Sequence, residues 1–181
     1  MNLSDQEILA VLRQDLYAFI EQCFYELNPT TTFLPNWHIQ VMAAALEACR
    51  RGEITRLIIN VPPRSLKSLS ASVAFPAFLQ GHDPSAQIIS VSYSQELANK
   101  HALDCRNVML SAWYMRLFPT RLSAERQAVS EFKTTRQGVR LATSVGGVLT
   151  GRGADVIIID DPLKPEEAFS DIQRQDRKSV V

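Results

Sequence analysis

Glycine is scarce in this sequence, with 7 residues in 181, and none of them falls in residues 61–68, "VPPRSLKS". That stretch ends in Lys-Ser after an apolar run, as a phosphate-binding loop does. The usual loop, however, reads G-x-x-x-x-G-K-[ST], and here Val61 and Leu66 stand at its two glycine positions. Cysteine is also scarce. Cys23, Cys49 and Cys105 are widely spaced and odd in number, so they fit neither a disulfide framework nor a zinc site and read as reduced core thiols. No apolar run approaches the roughly 20 residues that a helix needs to cross a bilayer. The start "MNLSDQEILA" lacks the basic lead and apolar centre of a secretory signal. These absences point to the cytoplasm, with no membrane partner. A surplus of one charge is missing too: 19 basic residues face 19 acidic ones. Net charge therefore argues neither for nor against nucleic acid, and only a local basic patch would attract it.

What is present is a globular composition, 46% hydrophobic and 21% charged. Ser4 and Glu7 form a candidate capping box, and Ile8, Leu9, Leu12, Leu16, Phe19, Ile20, Cys23, Phe24 and Leu27 recur at helical spacing after it. A second helix is expected from about Trp37 to Arg51, with Gly52 as its stop. Residues 56–61, "RLIINV", read as a short buried strand. After Lys67-Ser68 comes a helix kinked near Pro76. Residues 87–92, "QIISVS", read as a second buried strand, and residues 94–110 as a further helix. A hairpin is expected around Gln137-Gly138. A glycine-rich loop then leads into "VIIID", residues 156–160, a third buried strand, and the tail from Lys164 reads as a mostly polar helix. Strands apolar on both faces and alternating with helices imply an α/β fold with a mostly parallel sheet, flanked on both sides by helices.

Ligands of such sheets bind at the carboxyl ends of the strands, and two features fall there. "VPPRSLKS" follows one strand and opens a helix, whose N-terminus offers unpaired N–H groups to phosphate. Lys67 is then the point charge between β- and γ-phosphates, and Ser68 a hydroxyl ligand for Mg²⁺. "VIIIDDP" ends another strand in two carboxylates. Asp160 suits Mg²⁺, a hard cation that takes carboxylate and water oxygens, and Asp161 suits the orientation of an attacking water. Each feature has a plainer reading. Lys-Ser after a strand occurs without a nucleotide, and Asp before Pro favours helix caps and turns. It is the pair, in this order and each at a strand end, that points to nucleotide hydrolysis.

"VPPRSLKS", "GHDPSAQIISVSYSQELANKHALDCRNVM", "WYMRLFPTR" and "LATSVGGVLTGRGADVIIIDDPLKPEEA" together resemble the N-terminal ATPase domain of the terminase large subunit of tailed bacteriophages and prophages. The likeness runs from about Asn36 to Ser170. It implies a P-loop NTPase of the ASCE type, with residues 1–35 as an N-terminal helical segment and 36–181 as a partial ATPase domain. In that family the large subunit uses ATP to drive viral DNA into a procapsid. The resemblance implies ATP and Mg²⁺ as cofactors. It implies double-stranded DNA, the portal protein and the small terminase subunit as partners, a homo-oligomeric ring, and the bacterial host cytoplasm as location. Pro63, Arg64, Ser65, Leu66, Lys67 and Ser68 correspond to the Walker A loop, of a divergent type. Arg64 matches an arginine that senses or stabilises the γ-phosphate, and Asp160 and Asp161 match the Walker B pair. "WHIQ" resembles the adenine-recognition segment, with Gln40 reading the base edge or simply lying on a helix surface. Arg152 in "TGRGAD" is either an arginine finger for a neighbouring subunit or a DNA phosphate contact, and Arg140 is a weaker candidate.

The sequence departs from that family after the Walker B strand. The coupling motif of the next strand and the C-terminal nuclease domain are both absent, which suggests a truncated frame, a prophage remnant or a fragment. In this class the missing strand lies between the Walker A and Walker B strands, so both would lack a partner on one side. Each unpaired buried backbone group costs on the order of 1–3 kcal/mol. Two alternatives stay open: a helicase-like ATPase on a related core, and an inactive remnant. His38, His82 and His101 lack metal spacing, with His101 packed or solvated on a helix face. Trp113, Tyr114, Leu117 and Phe118 read as core under a loop, and Arg174, Arg177 and Lys178 as solvated.

Overall fold

The computed structural model describes residues 4–147, 149 and 151–163. The expected tail helix, with Arg174, Arg177 and Lys178, lies outside the described residues.

The N-terminal apolar periodicity folds as two helices, α1 (Asp5–Gln14) and α2 (Leu16–Leu27). The capping box forms, with the Ser4 N–H donating to Glu7 Oε2 at 2.7 Å. Asp15 separates the two helices because its carboxylate accepts from the Tyr17 and Ala18 N–H groups. A side chain that caps a new helix competes with continuation of the old one. Phe19, Ile20 and Cys23 are fully buried and share the main core with α3 (Trp37–Arg50). Gly52 then ends α3 with φ 76, a left-handed turn that glycine adopts without strain.

Residues 56–61 do not form the expected strand and join no sheet. Their pattern is extended in character: Leu57, Ile59 and Val61 pack toward the core while Ile58 is 93% exposed. A strand also needs a ladder partner. The nearest sheet edge lies across a cleft of about 400 Å³, lined on one side by Ile54, Leu57 and Ile59 and on the other by residues 155–160.

The kink expected near Pro76 takes the form of a π-helix, Leu69–Ala74, running into α4 (Phe75–His82). Pro76 has no N–H, so the Ser72 carbonyl four residues earlier loses its helical donor. The Phe75 N–H reaches back to the Ser70 carbonyl, the wider i→i+5 pattern. The Ser72 carbonyl, to which Pro76 has no N–H to offer, accepts from Arg140 Nη2 at 3.0 Å.

The remaining elements are β1 (Gln87–Ser92), α5 (Gln95–Leu110), α6 (Ala112–Leu117), β2 (Leu122–Gln127), β3 (Glu131–Thr134), β4 (Val139–Ser144) and β5 (Val156–Ile159). They build one five-stranded sheet of order β2-β3-β4-β1-β5. β1 runs parallel to both β4 and β5, whereas β2–β3 and β3–β4 are antiparallel. The sheet is therefore mixed, and it is not the mostly parallel P-loop sheet that the sequence led us to expect. Two things cause the difference. The hairpin around Gln137-Gly138 forms and carries β3, and with it β2, into the sheet as antiparallel strands. At the other edge, residues 56–61 add no parallel strand beside β5. The polar "LSAERQ" of β2 carries almost no apolar alternation, so it gave no strand signal.

Among the described residues, helices do not flank both faces either. α5 packs Ala98 and Ala102 on Ala142, and the π-helix meets Arg140, on the same face of β4. The opposite face, carrying Ile89, Val139 and Leu141, is met by Arg152 and Gly153 of the loop before β5. Ile157 and Ile159 on that side are 61% and 52% exposed. Tyr114, Leu117 and Phe118 are core residues as expected, with Tyr114 and Leu117 on the short helix α6 rather than in a loop. Among the described residues no helix is long and apolar enough to cross a membrane.

Gly138 holds the hairpin against the turn before β1. A Cβ there would lie 2.3 Å from the Pro84 carbonyl oxygen, and the Gly138 N–H donates to that same oxygen at 3.2 Å. Gly138→Ala is expected to lower unfolding free energy by about 1–3 kcal/mol, read from the denaturant midpoint. An unchanged midpoint would show that the turn yields freely.

Candidate functional site

The carboxyl ends of β1 and β5 bring the site together. The parallel ladder continues past β5: the Asp160 N–H donates to the Val91 carbonyl at 2.8 Å, and the Tyr93 N–H donates to the Asp161 carbonyl at 3.0 Å. The two carboxylates are therefore fixed by backbone pairing at the strand end, where ligands of such sheets bind. Asp161 turns the chain out of the sheet with φ 48.

Opposite them lies the loop of residues 61–68, which with Leu69 and Asp161 lines an open pocket of about 420 Å³. Pro63, Arg64, Ser65, Leu66, Lys67 and Ser68 all line it. The two glycine-like positions are explained by the backbone: Arg64 has φ 64 and Leu66 φ 57. Both are left-handed, a region that costs an L-residue roughly 1–2 kcal/mol. Ties on either side hold this shape. His38 Nε2 lies 3.3 Å from the Ser65 carbonyl oxygen, and the Ser70 N–H and hydroxyl both donate to the Leu66 carbonyl at 2.9 Å.

Lys67 and the Asp pair meet across 94 positions of sequence. Lys67 Nζ is 3.0 Å from Asp160 Oδ1 and also contacts Asp161 Oδ1. Asp160 is only 4% exposed. Its Oδ2 accepts from Ser72 Oγ at 2.9 Å, and His101 Nδ1 stands 3.8 Å away. Burial pushes the Asp160 carboxyl up, but hydrogen bonds from Ser68, Lys67 and Ser72 outweigh it and hold the group below its usual range. Burial likewise pulls Lys67 down, and its bonds to Asp161 and Asp160 prevail and raise it. For the buried His101, desolvation outweighs the Asp160 charge and lowers its pKa. The centre thus holds one firm cation against two carboxylates, with His101 favoured neutral.

Other expected site residues lie apart. Gln40 is exposed on α3 in a separate groove with Asp15, Tyr17 and Glu47, so it does not line the loop pocket. His38, two residues earlier, touches the loop instead. Arg152 lies before β5, at the end of the sheet opposite Asp160, and pairs with Glu131 at 3.1 Å. Arg140 is fully buried, which removes it as an arginine finger for a neighbour. Sequence reasoning missed Ser72 and His38 and did not connect His101 to Asp160. Ser72 falls one helical turn after Ser68, a usable signal; the approach of α5 to β5 left none.

Among the described residues no group of three or more His, Cys, Asp or Glu is placed to hold a metal. That does not conflict with Mg²⁺, which is commonly held by one or two protein oxygens together with phosphates and waters. Ser68 and Asp160 supply that donor set, and Ser68 is among the groups that hold the Asp160 carboxyl below its usual range. No protein-family model matches this chain, and neither does any curated protein.

The left-handed loop residues store strain at the pocket. Arg64 is exposed, so Arg64→Gly relieves strain without removing core contacts. After the larger backbone entropy loss of glycine, we expect a net gain of about 0.5–1 kcal/mol in unfolding free energy. An equal or lower stability would show that the arginine side chain more than offsets its backbone strain.

Proposed function

We propose that the site binds ATP with Mg²⁺ and hydrolyses it, as the ATPase part of a DNA-packaging terminase large subunit. The observation that supports this is the meeting of Lys67 with Asp160 and Asp161 at the carboxyl ends of parallel strands. Within the reading, Lys67 leaves the carboxylates to neutralise β- and γ-phosphate oxygens. Arg64, exposed at the pocket rim, adds a second cation for the γ-phosphate. Asp161, on the open side of the cluster, positions the attacking water. Ser68 and Asp160 hold the cation, which when bound supplies the positive charge that screens the triphosphate. The requirement follows from charge: two carboxylates beside one ammonium repel a polyanion unless a divalent cation joins them.

The larger role rests on the resemblance. Double-stranded DNA, the portal protein, the small subunit and a homo-oligomeric ring are proposed on that basis. Arg152 serves in the same way as a finger toward a neighbouring subunit or as a DNA contact, since it lies far from Lys67 in its own chain. A second reading draws on the same geometry: Lys67 paired with two carboxylates is also what a purely structural ion-pair cluster looks like.

Turnover separates the two. The chain is expected to release phosphate from ATP only with Mg²⁺, and Lys67→Ala should lower kcat/KM by about 10²–10³. Asp161→Asn should lower kcat by roughly 10²–10⁴ with little change in nucleotide affinity. Equal phosphate release by wild type and both variants would assign the cluster a structural role alone.

A further inference from the structure

We propose that Ser72 is a positioning residue that fixes the Asp160 carboxylate for the divalent cation; this rests on the nucleotide reading above. A carboxylate turns freely about its terminal bond unless both oxygens are held. On Asp160 they are held by different means. Oδ1 faces Lys67 at 3.0 Å, a partner that the proposed reaction redirects to phosphate, and the Ser68 hydroxyl is likewise redirected to the cation. Oδ2 accepts the Ser72 hydroxyl at 2.9 Å. Ser72 belongs to neither the phosphate loop nor the strand end, so its bond persists when the other two are drawn away. His101 at 3.8 Å is too far for a hydrogen bond and acts as a wall behind the same oxygen.

Ser72 is itself held in place. It is 1% exposed and sits in the π-helix. Its carbonyl, to which Pro76 has no N–H to offer, accepts from the buried Arg140 guanidinium at 3.0 Å. Backbone and hydroxyl of one residue thus join β4, the π-helix and Asp160. Such outer contacts to a ligating carboxylate typically alter metal affinity by 10–100-fold.

The test is calorimetric titration of the full chain with ADP across a range of Mg²⁺ concentrations. Ser72→Ala is nearly isosteric, and it is expected to raise the half-saturating Mg²⁺ about tenfold while ADP affinity without Mg²⁺ stays at the wild-type value. Ser72→Thr, which keeps the hydroxyl, is expected to restore the wild-type Mg²⁺ requirement. An unchanged Mg²⁺ requirement in Ser72→Ala overturns the proposal. So does an equal loss of ADP affinity with and without Mg²⁺, which would mark a structural role only. Absence of Mg²⁺-dependent ADP binding by the wild type overturns the nucleotide reading itself and the role of Ser72 with it.

Discussion

A carboxylate removed from water must be charged against a partner or not charged at all, and Asp160 imposes that condition on the whole centre. It stays ionised at 4% exposure only because Lys67, Ser68 and Ser72 converge on it. Those three residues come from the loop and the π-helix after it, while Asp160 comes from the end of β5. The burial of one group therefore fixes how the helical layer sits on the sheet. Losing any partner would leave part of a buried charge unmatched, which costs more than the contact itself contributes.

The same constraint reaches Arg140, the other buried charge nearby. Its guanidinium faces the Ser72 carbonyl, the Phe132 ring at 6.0 Å and the Cys105 thiol. Burial pulls its pKa down, and the same guanidinium counteracts the desolvation that pushes Cys105 up to about 11. A residue with an N–H in place of Pro76 would add a competing donor near the Ser72 carbonyl, the oxygen to which Arg140 Nη2 donates. A proline that reads in the sequence as a helix defect thus sits beside a contact between the helical layer and the central sheet.

The parts of this fold that depend on local patterning were legible from the sequence. β1 follows the apolar run "QIISVS" residue for residue, α3 stops before Gly52, and the Ser4–Glu7 box caps α1. Lys67 and the Asp pair were legible as a pair because the Asp pair ends the apolar run that forms β5 and Lys67-Ser68 opens a helix, although residues 56–61 before the loop form no strand. The parts that depend on partners were not. Residues 56–61 have the composition of a buried strand, yet pairing requires an edge at 4.7–4.9 Å, and no composition reports that distance. The antiparallel β2 was hidden by polar sequence, whereas β3 belongs to the hairpin around Gln137-Gly138 that was legible, and the second face, open among the described residues, was hidden by the fact that apolar strands look alike whether one side or both are covered. Gln40 was misplaced for a related reason: a helix rotates by about 100° per residue, so a shift of two positions moves the contact from His38 to a different groove.

The missing glycines take on a different meaning in this structure. Glycine would let the loop reach left-handed geometry at no steric cost but would enlarge the conformational freedom of the unfolded chain. Arg64 and Leu66 adopt that geometry with side chains, and Pro62 and Pro63 restrict the approach to it. The strain has to be offset, and the offsetting contacts are specific: His38 on the Ser65 carbonyl, Ser70 on the Leu66 carbonyl, and Lys67 on the two carboxylates. Two of these three do not involve Lys67, so in the proposed reading they would persist when Lys67 turns to a phosphate. The third does not. A phosphate that draws Lys67 away removes one restraint from a strained loop and one partner from a buried carboxylate at the same moment. In the proposed nucleotide reading both demands are met when a divalent cation replaces the ammonium at Asp160, which would tie the loop's unusual backbone to the charge of that cation.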